Sequence, residues 1–193
     1  FGVGDLVLIG KHGIVVEGRE KMSPAQEELS HVTNRRHLHG GLTEALKGAD
    51  VFIGVSVPGI VTVEMIATMG RDPIVFPMAN PTPEIMPEEA LRGGAAVVGT
   101  GRSDYDNQIN NVLAFPGIFR GALDVRARDI NDDMKLAASY AIASLVSDSE
   151  LSPRYILPHA FDKRVGKTVA RAVAQAAVAS GVARLPLKDE AAQ

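Results

Sequence analysis

Four short apolar runs rich in valine and isoleucine limit the fold of this chain more than any other feature. They occupy residues 6–9, 51–55, 74–79 and 95–98. Each run is uninterrupted rather than alternating with polar residues, a pattern typical of strands buried on both faces of a parallel sheet. Segments of helical character separate the runs, so the order of strand, helix and strand predicts an α/β, doubly wound layer.

Start signals support the helices of this scheme. Thr62 precedes a short helical pattern as an N-cap, and Pro87 stands at a first helical position. Two longer helices are expected in the last third of the chain, at about residues 131–146 and 162–180. Asn131 and Asp162 begin them, and Gly181 follows the second as a C-terminal cap.

Composition excludes several classes of function. A hydrophobic content of 46% over 193 residues supports a packed core, while a net charge of −3 and few aromatics argue against nucleic-acid binding. No run is long enough to span a membrane, and no signal-type segment is recognisable, so a soluble cytoplasmic protein is expected. The absence of cysteine removes disulfides, thiolate metal sites and a cysteine nucleophile. Because the chain enters a strand-like run within a few residues of Phe1, it is expected to begin in the middle of a fold.

Small and polar residues follow three of the apolar runs, where ligands bind in doubly wound sheets. Ser56, Val57, Pro58 and Gly59 follow the second run, and Asn80 follows the third. Residues 99–104, Gly-Thr-Gly-Arg-Ser-Asp, follow the fourth. Each loop could be a simple turn, and Asn80 could be a capping residue. Their recurrence at equivalent strand ends favours a shared binding site.

The turn after the first run carries no carboxylate. In dinucleotide-binding folds an acidic residue at this point accepts hydrogen bonds from the ribose of NAD and would repel the 2′-phosphate of NADP. Here Gly10, Lys11 and His12 occupy it, followed by Gly13. An ordinary hairpin turn around Gly10 and Gly13 is the alternative.

Four side-chain amides in six residues precede the apolar segment 112–121: Asn107, Gln108, Asn110 and Asn111. Such groups at the edge of a core either form turns or hold a polar ligand. His37 and His39 lack a nearby cysteine or carboxylate, so a metal site there is not expected. No metal ligand and no catalytic residue is assigned within this chain.

The combination of four segments is specific. Residues 51–59 (VFIGVSVPG), 78–89 (MANPTPEIMPEE), 99–105 (GTGRSDY) and 107–124 (NQINNVLAFPGIFRGALD) resemble the NAD(P)-binding domain of bacterial malic enzymes. The closing segments 158–165 and 180–183 resemble the end of that domain. The resemblance implies an incomplete Rossmann-like, mostly parallel sheet over residues 1–193, without its first strand and GxGxxG turn, on which the two long helices pack.

The resemblance also implies a chemistry and its residues. Malate would be oxidised by NAD(P) and decarboxylated to pyruvate, with Mg²⁺ or Mn²⁺, the acid and the base held outside this chain, which alone should be inactive. Asn80 and Asn111 would bind the substrate carboxylate or the nicotinamide, supported by Asn110. Ser56, Val57, Pro58 and Gly59 would line the cofactor path. The resemblance implies a homo-oligomer. It also implies a further N-terminal part of the enzyme, with which these residues would act.

One departure concerns the cofactor. Family members often carry aspartate where this sequence has Gly10, and its replacement beside Lys11 and His12 favours NADP. Two alternatives to the malic enzyme remain open: a nucleotide-binding or assembly module without chemistry, and another hydroxy-acid or amino-acid dehydrogenase.

Overall fold

The computed structural model describes residues 2–187 and divides into two compact units between Val98 and Gly99. The first unit contains a two-stranded hairpin, a three-stranded sheet and four short helices. Its elements are β1 (Ile9–Gly10), β2 (Gly13–Ile14), α1 (Pro24–Ser30), α2 (Leu42–Leu46), β3 (Val51–Gly54), α3 (Val63–Ala67), β4 (Ile74–Pro77), α4 (Pro87–Arg92) and β5 (Val97–Val98).

The three-stranded sheet of the first unit is parallel, with the strand order β3-β4-β5. Its register places Val51 opposite Ile74 and Ile74 opposite Val97. The three strands lie within the apolar runs that begin at residues 51, 74 and 95, which confirms the α/β prediction with a parallel sheet. Thr62 caps α3 by accepting a hydrogen bond from the Met65 N–H at 3.3 Å, as expected.

Two details of the strand prediction are wrong. The first apolar run supplies only β1, which pairs antiparallel with β2, and Leu6 remains 53% exposed. A two-residue turn connects β1 to β2, so the run forms a β-hairpin. Within residues 2–187 it pairs with no parallel strand. In addition, β3 is buried on one face only: Phe52 lies in the core, whereas Ile53 is 61% exposed.

The core of the first unit lies between this sheet and helices α2, α3 and α4. Phe52 and Val75 from the strands pack with Ile66 of α3 and Ala90 of α4. Burial of such side chains contributes about 1.5–3 kcal/mol each for the larger ones. The sheet and these helices therefore share one hydrophobic core, which holds the strands and their ends in place.

The second unit is helical. It contains a 3-10 helix (Asn111–Leu113), α5 (Phe115–Asp124), α6 (Asp132–Ala143) and α7 (Lys163–Ala179). The two long helices predicted at about 131–146 and 162–180 are confirmed as α6 and α7, with Asn131 and Asp162 as their N-caps. Gly181 has φ +72° and follows the end of α7, as a C-terminal cap requires. The prediction that these helices pack on the sheet stays a prediction.

Glycines let α5 approach α7 closely. A Cβ added at Gly117 would lie 2.6 Å from the Cβ of Val169, and one added at Gly121 would lie 2.9 Å from the Cβ of Val173 and overlap the Ala170 carbonyl. Val169 and Val173 are fully buried in the core of this unit. Two glycines four residues apart place both contacts on one face of α5.

We expect Gly121→Ala to lower the free energy of unfolding by about 1–3 kcal/mol, because the new methyl group has to push α5 away from the backbone of α7. Denaturant unfolding followed by circular dichroism measures the change.

Gly166→Ala is the matched control, since Gly166 lies within α7 and a Cβ there would have no atom within 4 Å. Alanine should leave stability unchanged or raise it by up to about 1 kcal/mol through its helix propensity. Equal losses in the two variants would contradict the close-packing argument.

Candidate functional site

The carboxyl ends of β3 and β4 are joined by one buried side chain, that of Glu84. Its Oε1 accepts a hydrogen bond from the Ser56 N–H at 2.7 Å, and its Oε2 accepts one from the Ala79 N–H at 3.0 Å. The side chain is fully buried. A buried carboxyl group requires such partners, because its desolvation is otherwise costly. The two turns that carry Ser56 and Asn80 are thus held to a single group.

The segment after β3 is held further by the main chain of the Pro83–Glu84 turn. The Gly59 N–H donates to the Pro83 carbonyl at 3.2 Å, and the Val61 N–H donates to the Glu84 carbonyl at 3.0 Å. Residues 56–59 nevertheless remain exposed. A fixed but accessible turn is what a planar ligand needs to approach the backbone.

Gly54 is required by the same carboxyl group. A Cβ added at Gly54 would lie 2.5 Å from the carboxyl carbon of Glu84. The glycine that ends β3 therefore makes room for the side chain that holds both strand ends. At the outer end of the turn, Gly59 has φ +69°, and a Cβ there would meet no atom within 4 Å, so the space above this turn is open.

Asn80 follows β4 and is exposed, directly after the Ala79 N–H that Glu84 holds. Its peptide bond to Pro81 is cis. The structure therefore brings Asn80 and residues 56–59 to the same end of the sheet, as the sequence predicts for the ends of parallel strands.

Gly10 ends β1, and Lys11 and His12 form the turn between β1 and β2. Lys11 and His12 are exposed. A hairpin turn around Gly10 and Gly13, the alternative left open by the sequence, is thus present. The β1–β2 hairpin is a separate sheet from β3-β4-β5, whose strand ends precede Ser56 and Asn80.

In the second unit, Asn110 caps the 3-10 helix that contains Asn111. The Oδ1 atom of Asn110 accepts a hydrogen bond from the Val112 N–H at 3.1 Å. Asn111 is exposed at the start of this helix. This cap fixes the backbone that carries Asn111.

Asn107 has a structural role that exceeds the local turn expected from the sequence. Its side chain is buried, donates to the Pro153 carbonyl at 2.9 Å and accepts from the Ile156 N–H at 2.9 Å. Asn107 therefore ties its own loop to a segment 46–49 residues later in the chain. Its φ of +53° is one that asparagine tolerates better than most residues.

The loop that follows β5 is also ordered by local contacts. The Arg102 guanidinium makes two hydrogen bonds to Asp104, at 2.9 and 2.6 Å, and its charge lies over the Tyr105 ring. The hydrogen bond from Arg102 holds the pKa of the Asp104 carboxyl below its usual range. Thr100, at the start of the loop, is buried, and its Oγ1 has no hydrogen-bond partner within the described chain.

Residues 2–187 contain no group of three or more histidine, aspartate or glutamate side chains placed to hold a metal ion. They do not fit a divalent metal by themselves, so no chemical step is assigned to a metal held by this chain. None of the helices in the described part combines the length and apolar character needed to cross a membrane.

Glu84 in the first unit and Asn107 in the second have roles that the sequence did not reveal. Glu84 carries a recognisable signal, since it is a lone charged residue in the stretch NPTPEIMP, between Pro83 and Ile85. Asn107 carries none, because its partners lie far along the chain.

Comparison with known proteins identifies relatives of the whole described region. The model of the family described as "Malic enzyme, NAD binding domain" matches residues 3–178. A bifunctional malic/malolactic enzyme of Bacillus subtilis is 56% identical over 191 residues, which are 98% of this chain and 47% of that protein. An NADP-dependent malic enzyme of Rhizobium meliloti is 45% identical over 98% of this chain and 26% of its own length. This chain therefore spans about half, or less, of the length of these relatives.

A solved structure has the same fold. The malic enzyme of Pyrococcus horikoshii superposes with a TM-score of 0.83 at 53% sequence identity, over 88% of this chain and 39% of that one.

We expect Glu84→Gln to lower the free energy of unfolding by about 1–3 kcal/mol, because the amide nitrogen of glutamine would face a backbone N–H that the carboxyl oxygen now accepts. Denaturant unfolding measures this loss. The exposed Glu20→Gln is the control, with an expected change within about 0.5 kcal/mol. Equal stability of Glu84→Gln and the unaltered protein would show that the strand ends do not depend on this group.

Proposed function

Since the chain belongs to the malic enzyme NAD-binding domain family, we propose that it is the cofactor-binding portion of an NAD(P)-dependent malic enzyme that converts malate to pyruvate and carbon dioxide. The observation that carries the proposal is the pair of exposed strand-end turns, at residues 56–59 and Asn80, that Glu84 locks together at one end of the sheet. This is where a doubly wound sheet binds its ligand.

The proposed reaction has two parts. The hydroxyl of malate loses its proton while its C2 hydrogen leaves as hydride, and bound NAD(P) supplies the hydride acceptor. The C3–C4 bond then breaks, carbon dioxide leaves, and the electron pair remains as the enolate of pyruvate, which is protonated at C3. The acid, the base and the Mg²⁺ or Mn²⁺ ion are assigned to parts of the enzyme outside these residues. When bound by those other parts, such an ion would supply Lewis-acid stabilisation of negative charge on the substrate oxygen.

In this proposal the chain's own residues bind and orient the reactants. The side-chain amides of Asn80 and Asn111 donate hydrogen bonds to the substrate carboxylate or the nicotinamide carboxamide. Asn110 supports Asn111, and its cap on the Val112 N–H favours that role. Residues 56–59 line the cofactor path, which their exposure and the open space above Gly59 favour.

We propose further that residues 1–193 form an NAD(P)-binding domain without its first strand and glycine-rich turn, with α6 and α7 packed on it. The complete enzyme is proposed to be a cytoplasmic homo-oligomer. Support for a larger protein comes from the lengths of the relatives, of which this chain covers 47% or less in the two cases above.

We expect the full-length enzyme to oxidise malate in the presence of Mn²⁺ or Mg²⁺, and Asn111→Ala to raise the KM for malate about tenfold or more, since a hydrogen bond to a charged group is worth about 1.5–3 kcal/mol. Absorbance of the reduced nicotinamide and assay of pyruvate measure both effects.

Gln175→Ala removes an exposed amide of α7 and serves as the control, with an unchanged KM. An unchanged KM in Asn111→Ala would remove this residue from the site. A second control is the polypeptide limited to residues 1–193, which should not turn over malate. Turnover by that polypeptide would contradict the placement of acid, base and metal outside it.

We propose a preference for NADP, because Lys11 and His12 occupy the hairpin turn and Gly10 replaces the carboxylate that would repel a 2′-phosphate. NADPH should bind the full-length enzyme more tightly than NADH in a fluorescence titration, and Gly10→Asp should reduce or reverse this order. A side chain at Gly10 first meets the amide nitrogen of Gln26, at 2.9 Å, which is the far end of that side chain rather than backbone.

Thr43→Asp adds the same charge at an exposed site of α2 and should not change the order. Equal affinities, or tighter binding of NADH by the unaltered enzyme, would contradict the preference.

A further inference from the structure

The guanidinium of Arg19 binds the hairpin that carries Lys11 and His12. Its Nη1 donates to the Gly13 carbonyl at 2.7 Å and to the Ile14 carbonyl at 3.1 Å. Both acceptors belong to β2, directly after the turn. Arg19 thus fixes the strand on which the turn ends.

Arg19 also connects this hairpin to α1. Its Nη2 donates to the Oε1 atom of Gln26 at 3.4 Å, and the same oxygen accepts the Ser23 N–H at 3.1 Å. Gln26 lies beside Gly10, as the 2.9 Å separation between its Nε2 and an added Cβ shows. The Arg19 side chain therefore binds both β2 and Gln26, the residue beside the end of β1.

The charge of Arg19 is not neutralised within the described residues. The acceptors of its three hydrogen bonds are carbonyl oxygens, and no carboxylate of residues 2–187 makes an ion pair with it. Its Nε is buried and has no hydrogen-bond partner in that part of the chain. A buried donor without a partner is costly, so this nitrogen adds nothing to the grip of Arg19 on the hairpin, which rests on Nη1 and Nη2.

We propose that Arg19 is the positioning residue that sets the cofactor preference: it holds the Lys11–His12 turn in the conformation that presents the Lys11 ammonium to the 2′-phosphate of NADP. This inference rests on the proposed function and deepens it. The carbonyl contacts restrict the turn before any ligand arrives. A preorganised turn loses less conformational entropy on binding than a mobile one.

The test uses the full-length enzyme with Lys11→Gln, Arg19→Gln and the double variant. Fluorescence titration gives the Kd for NADPH and for NADH, and competition with adenosine 2′,5′-bisphosphate against AMP isolates the 2′-phosphate. Each single variant should lower the NADPH-to-NADH affinity ratio about tenfold. The double variant should lower it no further than Lys11→Gln alone, because Arg19 acts through Lys11.

Arg36→Gln is the matched control, as Arg36 is an exposed arginine of the same unit, and it should leave the ratio unchanged. Arg19→Lys keeps the charge but cannot bridge the two carbonyls and Gln26 together, so it should lower the ratio as Arg19→Gln does. If Arg19→Gln fails to fold, Arg19→Lys carries the test.

A merely structural Arg19 would weaken both dinucleotides equally and leave the ratio intact, which would overturn the proposal. Additive effects in the double variant would also overturn it, since Arg19 would then contact the phosphate independently. The proposed function fails by a separate result: the unaltered full-length enzyme would oxidise malate with neither cofactor. That result does not depend on how the affinity ratio responds to Arg19.

Discussion

The carboxyl group of Glu84 is the constraint on which the candidate site of the first unit depends. Buried between the ends of β3 and β4, it accepts one backbone N–H from the turn after each strand. Because an unpaired polar group would be costly at this depth, the two turns cannot move apart without losing stability. Gly54 follows from the same contact, since no Cβ fits against that carboxyl group. The result is a pair of fixed, exposed turns at the end of a parallel sheet.

A similar division between a rigid interior and an accessible edge recurs in the second unit. Close packing of α5 on α7 through Gly117 and Gly121 fixes α5, and the 3-10 helix that carries Asn111 precedes it directly in the chain. Asn110 uses its side chain to satisfy the backbone of that short helix, which leaves Asn111 exposed. Binding groups at helix and strand ends are precise only when the elements behind them are packed, because a displacement of about 1 Å is enough to impair a site.

Much of this fold is readable from local pattern. The parallel strands, the long helices α6 and α7, and the N-caps Thr62, Asn131 and Asp162 were all predictable, since each depends on neighbours within a few residues. The first apolar run was not, because its composition is the same whether it pairs in parallel or folds back into a hairpin. Of the candidate site, Asn80 and the turn after β3 were predicted from their positions at strand ends, whereas the roles of Asn110 and Asn111 were implied by the family resemblance. The contacts of Glu84, Asn107 and Arg19 were not, as their partners lie several to many residues away.

The sequence by itself determined the α/β class, the starts of α3, α4, α6 and α7, and membership of the malic enzyme family, because hydrophobic periodicity, capping residues and the run NQINNVLAFPG are local properties of the chain. Only the tertiary structure decided which polar groups hold the turns and which remain available to a ligand. Asn107 and Asn111 are both amides of one short segment. Asn107 is buried and makes hydrogen bonds to the backbone of residues 153 and 156, whereas Asn111 is exposed. That distinction arises from burial and from partners distant in sequence, which no local pattern encodes.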